Sequence, residues 1–128
     1  MIDIENQAMH RAYLEKRLGC TLAPDAQFIA HVEPYGVVGF ERWNGDDVEL
    51  HYTGERGFLT RGFLRSLARY VFVQLGCERV TGRIPADRPL AAALGKRLGF
   101  THEGTLRRGH NGNDILIFGM LKEECRWL

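Results

Sequence analysis

The stretch that decides the fold is Asp47–Gly62, DVELHYTGERGFLTRG, in which a strand pattern gives way to a helix pattern. Polar and apolar residues alternate through Asp47–Thr53, which is the period of a β-strand with one covered face. From Thr60 to Leu75 the apolar residues recur at helical spacing, with Thr60 as the N-cap. The stretch therefore predicts a strand, a glycine-containing loop and an amphipathic helix that stops at Gly76.

Two further strands and a helix precede this stretch. Residues 27–32 and 37–43 are predicted to be strands, and Asn44-Gly45-Asp46 is a hairpin turn signal that leads into the third strand. Short turns between three consecutive strands predict an antiparallel meander. Residues 5–18 have the pattern of a helix, which Gly19 would end.

The remainder of the chain predicts a strand, a helix and a closing hairpin. Residues 79–84 are the strand. Asp87 is predicted to cap the next helix, which would end at Gly99. Residues 100–121 then contain a pair of strands around the turn signal His110-Asn111-Gly112-Asn113.

This element order predicts a mixed α+β fold with a central mixed β-sheet flanked by helices. The sheet begins as an antiparallel meander and a helix then crosses over it, so at least one pair of neighbouring strands must be parallel. Strands can splay apart where the two types of pairing meet, and a splay exposes backbone amides to a ligand. No repeat or linker interrupts the pattern, and we expect residues 1–128 to form a single domain.

Composition and charge exclude several classes of protein. The 128 residues carry 17 Lys and Arg against 16 Asp and Glu, which gives a net charge of +1. A protein with so small a net charge lacks the positive electrostatic field that is typical of nucleic-acid-binding proteins. The 3 cysteines, Cys20, Cys77 and Cys125, show no zinc-site spacing, so we expect reduced thiols and no bound metal. Neither a leader nor a membrane-spanning run is recognisable, and we expect a soluble cytoplasmic protein.

The loop before the long helix is a candidate anion site. Its glycines leave backbone N–H groups free at the helix N-terminus, where the helix dipole attracts phosphate. Arg56 and Arg61 could add charge-assisted contacts. The alternative is a plain glycine-tolerant connection with solvated arginines. The loop matches neither the P-loop nor the dinucleotide-binding fingerprint, so those nucleotide-binding classes are not expected.

The third predicted strand carries a candidate general base. Glu49, His51 and Thr53 share one face of this strand, and a histidine beside a glutamate could accept a proton near neutral pH. A hydrated polar strand face is the alternative. Glu41, on the preceding strand, is a further carboxylate candidate. Ser66, the single serine, lies within a helix and outside any nucleophile-elbow context, so a serine hydrolase is not expected.

Two motifs add a resemblance to a known family. Residues 97–107, RLGFTHEGTLR, resemble the rLGFxxEGxxR stretch of the GNAT superfamily of acyl-CoA-dependent N-acetyltransferases. The ending, residues 114–128, DILIFGMLKEECRWL, is similar to that of small phage- and prophage-type members. The loop Phe58–Gly62 also looks like that subgroup, and the resemblance covers residues 27–128.

The resemblance implies an N-acetyltransferase that moves acetyl from acetyl-CoA to a primary amine by direct attack on the thioester. His51 or Glu49 would be the general base, strand amides would stabilise the oxyanion, and Tyr52 or water would protonate the departing thiolate. The acceptor would be a small-molecule or peptide amine, with no nucleic-acid or membrane partner. The cofactor-binding residues implied are Leu50, Tyr52 and Thr53 along the strand, Gly57, Phe58, Leu59, Thr60, Arg61 and Gly62 in the loop, and Arg88.

The sequence also departs from the family's pattern. Phe58 and Thr60 stand where the phosphate motif has glycines, Arg88 where the family has an asparagine, and Gly95 where it has a tyrosine used as the general acid. No counterpart of the family's first strand is predicted. These departures favour an alternative of another class, a catalytically weak GNAT-like module that binds CoA or supports assembly, for instance as a homodimer.

Overall fold

Seven strands form one mixed sheet, with helices packed on both of its faces. The computed structural model describes residues 1–128. In chain order the elements are β1 (Ile2–Asp3), α1 (Gln7–Leu18), β2 (Gln27–His31), β3 (Gly36–Glu41), β4 (Glu49–Gly54), α2 (Arg61–Arg69), β5 (Arg79–Pro85), α3 (Pro89–Leu98), β6 (Thr101–His110) and β7 (Asn113–Leu121). A π-helical turn, Tyr70–Gln74, extends α2, and a 3-10 turn, Lys122–Glu124, follows β7. The mixed α+β class predicted from the element order is confirmed.

The strand order is β1-β2-β3-β4-β5-β7-β6, and the β4–β5 pair is parallel while the other neighbours are antiparallel. The parallel ladder is short: Glu49 is paired with Thr81, and Leu50 with Gly82. Beyond Leu50 β4 and β5 are no longer paired with each other, although β4 stays paired with β3 and β5 stays paired with β7. The predicted splay is therefore present, and it opens at the C-terminal ends of β4 and β5.

Successive side chains of each strand point to opposite faces of the sheet, and they form two hydrophobic cores, one on each face. The larger core packs α2 and its extension against the sheet, with Val38, Phe40, Phe63, Leu67, Val71 and Val80 among its buried residues. The smaller core packs α1 against β2 and β3, with Leu14, Phe28 and Val37 among its buried residues. Leu50 and Tyr52 of β4 pack against the larger core, so His51 between them faces the α1 side of the sheet.

Three details differ from the sequence predictions. A two-residue strand, β1, pairs with β2 at the edge of the sheet, where the sequence predicts no first strand. Asp87 does not cap α3: the N-cap residue is Arg88, and the Asp87 carboxylate accepts a hydrogen bond from Asn113 at 3.3 Å. The long helix changes from α to π geometry at Tyr70, a change that hydrophobic periodicity does not encode.

The predicted helix boundaries that flank the splay are confirmed. Thr60 caps α2, since its Oγ1 accepts the amide of Phe63 at 3.1 Å. The first helix ends at Leu18, before Gly19, and α3 ends at Leu98, before Gly99. The longest helix, α1, has 12 residues, and none has the length and apolar character needed to cross a bilayer.

Candidate active site

The gap between β4 and β5 opens into a cavity of about 910 Å³, which we call the interstrand cleft. Side chains from both faces of β4 line it: Glu49 and His51 from the α1 side, and Leu50 and Tyr52 from the α2 side. The end of α1, the start of α3 and the β6–β7 hairpin supply its other walls. Because the cleft reaches both faces of β4, two ligands can approach each other there from opposite sides of the sheet.

His51 and Glu41 form a buried pair on the α1 side of the cleft. His51 Nε2 lies 2.7 Å from Glu41 Oε2, and the two side chains are 14% and 7% exposed. A carboxylate can only accept, so Nε2 donates its proton to this bond and Nδ1 keeps a free lone pair. The other carboxylate oxygen, Oε1, accepts the amide of Ala23 at 2.9 Å. Glu41 is thus held at both oxygens, and it fixes the tautomer and the orientation of the imidazole.

The register of β3 and β4 explains this contact. Gly39 lies opposite His51, and Glu41 lies opposite Glu49, so His51 meets Glu41 diagonally across the strand pair. From the sequence, Glu49 is the expected partner of His51, because both lie on one strand, and Glu41 is only a further carboxylate candidate. The length of the connection between β3 and β4, residues 42–48, sets the register of the two strands, and it is the sequence feature from which this contact could be predicted.

Glu49 belongs to the same cluster, but its Oε2 is buried without a hydrogen-bond donor. Two guanidinium groups flank the carboxylate at longer range: Arg42 Nε lies 3.6 Å from Oε2, and Arg83 Nη1 lies 4.0 Å from Oε1. Ligand atoms of Glu41, Glu49 and His51 lie within 4.8 Å of one another, a spacing that a divalent cation could use. The Glu41–His51 hydrogen bond already engages two of the three groups, so the cluster is better suited to moving a proton than to holding a metal.

Burial sets the protonation state of His51. Loss of hydration lowers the pKa of the imidazole, and the charge of Glu41 and its hydrogen bond offset this effect only in part. The ordinary pKa of a histidine is about 6.5. At neutral pH the His51 side chain is therefore uncharged, and its Nδ1 can accept a proton.

Tyr52 lies on the other face of β4 and bridges the gap to α3. Its hydroxyl donates to the carbonyl of Ala91 at 3.3 Å, and loss of hydration raises its pKa to about 12, so the phenol stays protonated at neutral pH. The carbonyl of Val48 accepts the Thr81 amide across the parallel pair. The N–H and C=O groups of every second residue in a strand point to the same neighbouring strand. The amide of Tyr52, four residues after Val48, therefore also points towards β5, at a position where the two strands have diverged.

The predicted anion-binding loop lies between β4 and α2. Phe58 is buried and lines the cleft, and Leu59 packs against the larger core, so these two side chains anchor the loop. Phe58 takes this position because Gly36 and Gly54 leave room for its ring: a Cβ on either would lie within 2.7 Å of ring atoms. The other predicted loop residues are exposed and do not line the cleft: Gly57, Thr60, Arg61 and Gly62.

Thr53 and Arg88 complete the predicted set, and both line the cleft. Thr53 Oγ1 accepts a hydrogen bond from Arg17 Nε at 3.0 Å, which ties β4 to the end of α1. Arg88 is exposed at the start of α3. Arg83 of β5 also lines the cleft, and it is not among the site residues expected from the sequence. Its approach to Glu49 depends on the parallel pairing of β4 and β5, which no local motif specifies.

Cys20 lines the cleft as well, but its thiol is poorly suited to be a nucleophile. Burial raises the pKa of the thiol, and the charges of Glu15 and Glu41 raise it further. The thiolate, which is the reactive form, is therefore scarce at neutral pH. The chemistry of the cleft favours a proton acceptor at His51 over a covalent step at cysteine.

Comparison with known proteins identifies the fold. No protein-family model and no curated protein sequence matches the chain. Among solved structures, a chimera of the Vibrio cholerae spermidine N-acetyltransferase SpeG and hSSAT matches with a TM-score of 0.61 at 21% identity, over 77% of this chain and 68% of that chain. A provisionally assigned acetyltransferase of T. thermophilus matches with a TM-score of 0.68 at 23% identity, over 88% of this chain and 66% of that chain.

A third structure, also a provisionally assigned acetyltransferase, gives a TM-score of 0.71 at 23% identity, over 88% of this chain and 64% of that chain. The chain thus spans about two thirds of the length of the structures that it matches. At these identities the likeness is one of fold. The chain has the mixed α+β fold of these acetyltransferase structures.

Proposed function

We propose that this protein is an N-acetyltransferase that moves acetyl from acetyl-CoA to a primary amine. The observation that carries the proposal is the neutral His51, held by Glu41 with Nδ1 free, at the splay of a GNAT-type sheet. A proton acceptor fixed beside an opening between two strands is what direct acyl transfer needs, since the amine must lose a proton before it can attack. Glu49 is the second candidate for this role.

The protons and bonds of the acetyl transfer can all be accounted for with the groups in the cleft and water. His51 Nδ1 accepts one proton from the acceptor ammonium and passes it to water. The neutral amine nitrogen then forms a bond to the thioester carbonyl carbon, and the carbon–sulfur bond breaks. The second amine proton leaves with the thiolate, through water or through Tyr52 if its phenol moves away from Ala91. The amide of Tyr52, which points towards the gap, is the candidate donor to the oxyanion.

The residues around the splay fit an acyl-CoA. Leu50 and Tyr52 offer an apolar strand face to the pantetheine arm, with Thr53 at the end of the strand. The exposed N-terminus of α2, with Arg61 in its first turn, offers amides and positive charge to phosphate groups. Bound acetyl-CoA supplies the activated acetyl group. Arg88, at the start of α3, is a further candidate for its anionic groups.

Two measurements test the proposal. Acetyl-CoA at 100 times its dissociation constant should stabilise the protein by about 2.7 kcal/mol, which a thermal shift detects. Acetyl-CoA with a panel of primary amines should then release free CoA thiol, which a thiol reagent quantifies. The absence of both a thermal shift and thiol release at millimolar acetyl-CoA would overturn the proposal.

Gly95 favours a second candidate function, the weakly catalytic CoA-binding module. Gly95 is buried and carries no side chain, so no phenol is available at this position to protonate the thiolate. The phenol of Tyr52 is bonded to Ala91. The two candidates differ in one result: the module would give a thermal shift with acetyl-CoA but no thiol release with any amine.

A further inference from the structure

The α1 side of the cleft has an unusual charge arrangement next to His51. Glu49 lies between Arg42 and Arg83, at 3.6 and 4.0 Å from their guanidinium nitrogens. Both distances exceed those of a hydrogen bond, so the guanidinium N–H groups remain available as donors. Arg83 is 31% exposed and Arg42 67%, so a ligand in the cleft can reach both.

The carboxylate of Glu49 lacks a hydrogen-bond donor at one of its oxygens. Its side chain is 19% exposed, and Oε2 is buried without a hydrogen bond. Glu49 is also paired across the strands with Glu41, a second carboxylate, and like charges placed directly opposite each other repel. A cation in the cleft would relieve this repulsion and supply the missing donor.

These arginines lie away from the predicted phosphate-binding loop. Arg42 follows β3 and contacts Glu49, the first residue of β4, whereas the loop 55–60 follows the last residue of β4. Six extended residues separate these two ends by about 17 Å. The phosphates of an acyl-CoA held at the N-terminus of α2 would therefore not be the anion that Arg42 and Arg83 meet.

We infer that the acceptor is a zwitterion, an amine that also carries a carboxylate, as an amino acid does; this inference rests on the proposed function. Its ammonium group lies between Glu49 and the free Nδ1 of His51, where it loses its proton. Its carboxylate accepts hydrogen bonds from Arg42 and Arg83, which are the donors best matched to a planar carboxylate. A polyamine would bring further positive charge to these two guanidinium groups and is disfavoured.

The test compares acceptors that differ only in the carboxylate. The pairs are phenylalanine with phenethylamine and lysine with cadaverine, with spermidine as the polyamine, and release of CoA thiol from acetyl-CoA is the readout. We expect kcat/KM at least tenfold higher for the amino acid of at least one pair. Charge-assisted hydrogen bonds of this kind change affinity by about 10- to 100-fold.

Two variants connect the preference to the named side chains. Arg42→Gln and Arg83→Gln should each raise KM for the amino acid about tenfold and change kcat/KM for the matching amine by a much smaller factor, while Arg42→Lys should restore part of the loss. Arg65→Gln, on the exposed face of α2, is the matched control and should change neither value. Melting temperatures of all variants show whether they fold.

Three results separate the outcomes. Preference for the amino acid that is lost in the arginine variants supports the inference. Turnover of spermidine or the simple amines that equals or exceeds that of the amino acids overturns the inference and leaves the acetyltransferase proposal standing. No thiol release from any acceptor overturns the proposed function, and the inference with it.

Discussion

Glu41 accepts the Nε2 proton of His51 at 2.7 Å, diagonally across the β3–β4 pair. The same carboxylate accepts the Ala23 amide, so neither of its oxygens is left without a donor. This arrangement separates two tasks. Glu41 orients the imidazole through Nε2, and Nδ1 is left to accept a proton from a ligand in the cleft.

Replacing His51 by alanine tests the base directly. His51→Ala should lower kcat by roughly two to four orders of magnitude, the size expected for loss of a general base, while the affinity for CoA changes little. The loss should shrink at high pH, where more of the amine is already unprotonated. Steady-state kinetics and CoA titration measure the two quantities. His102→Ala, on the exposed edge strand β6, is the control; equal turnover in both variants would remove His51 from the mechanism.

Replacing Glu41 by glutamine tests the positioning role. In Glu41→Gln the amide can donate to Nε2 and select the other tautomer, so kcat should fall at least about tenfold. The charge of Glu41 raises the pKa of His51, so its removal should move the acid limb of the kcat/KM profile to lower pH. The pH profile distinguishes this role from simple loss of structure. Glu123→Gln, at an exposed carboxylate near the C-terminus, should leave the profile unchanged.

Reversing the charge at Arg61 tests the phosphate-binding loop. Arg61→Glu should weaken CoA binding by at least about tenfold, because a charge-assisted contact is replaced by repulsion. The fold should be unaffected, since a first-turn glutamate suits the helix dipole. Calorimetric titration with CoA measures the affinity, and Arg65→Glu, one turn further along α2, is the matched control. Unchanged CoA affinity in Arg61→Glu would assign Arg61 to the solvated surface.

The close contact of Gly54 with Gly36 makes a prediction about stability. A Cβ on Gly54 would lie 2.6 Å from the Gly36 Cα and 2.6 Å from the Phe58 ring. Gly54→Ala should therefore reduce the free energy of unfolding by about 1–3 kcal/mol, as overpacking does, and displace the Phe58 anchor of the loop. Urea unfolding measures the change. Gly104→Ala is the control, because nothing lies within 4 Å of a Cβ there.

Much of the fold could be predicted from local signals. The strand-to-helix change at Asp47–Gly62, the Thr60 cap and the glycines after α1 and α3 each have a physical reason that acts over a few residues, and the structure confirms them. The splay also follows from the element order, since a crossover helix after a meander requires a parallel pair. Asp87 is an example of what local signals do not predict. It is a residue type that commonly caps helices, but in the structure its carboxylate accepts a hydrogen bond from Asn113 and does not cap α3.

The site depends on register, which the sequence encodes only weakly. His51 is identified from its residue type and strand, but its partner is decided by the pairing of Glu41 with Glu49 across residues 42–48. A slip of one residue would send Glu41 to the opposite face. The same holds for Arg83, whose distance from Glu49 depends on the two-pair parallel ladder. Contacts between strands, such as His51 with Glu41, are therefore not predicted from the sequence.

The burial of His51 predicts how stability depends on pH. Its pKa in the folded state is lowered, so below about pH 6.5 the unfolded state binds more protons than the folded state does. The contribution of His51 to stability is therefore present above about pH 6.5 and is lost as the pH falls through the lowered pKa of the folded state. The pKa of Asp3 is also lowered, from 3.8 to about 2, but the contribution of Asp3 to stability is lost only as the pH falls between these two values.

Melting temperatures measured by calorimetry from about pH 7.5 to about pH 5 should fall in the native protein and fall less in His51→Gln. The exposed His102→Gln should keep the native slope, and the same slope in His51→Gln would show that this histidine is not the group responsible.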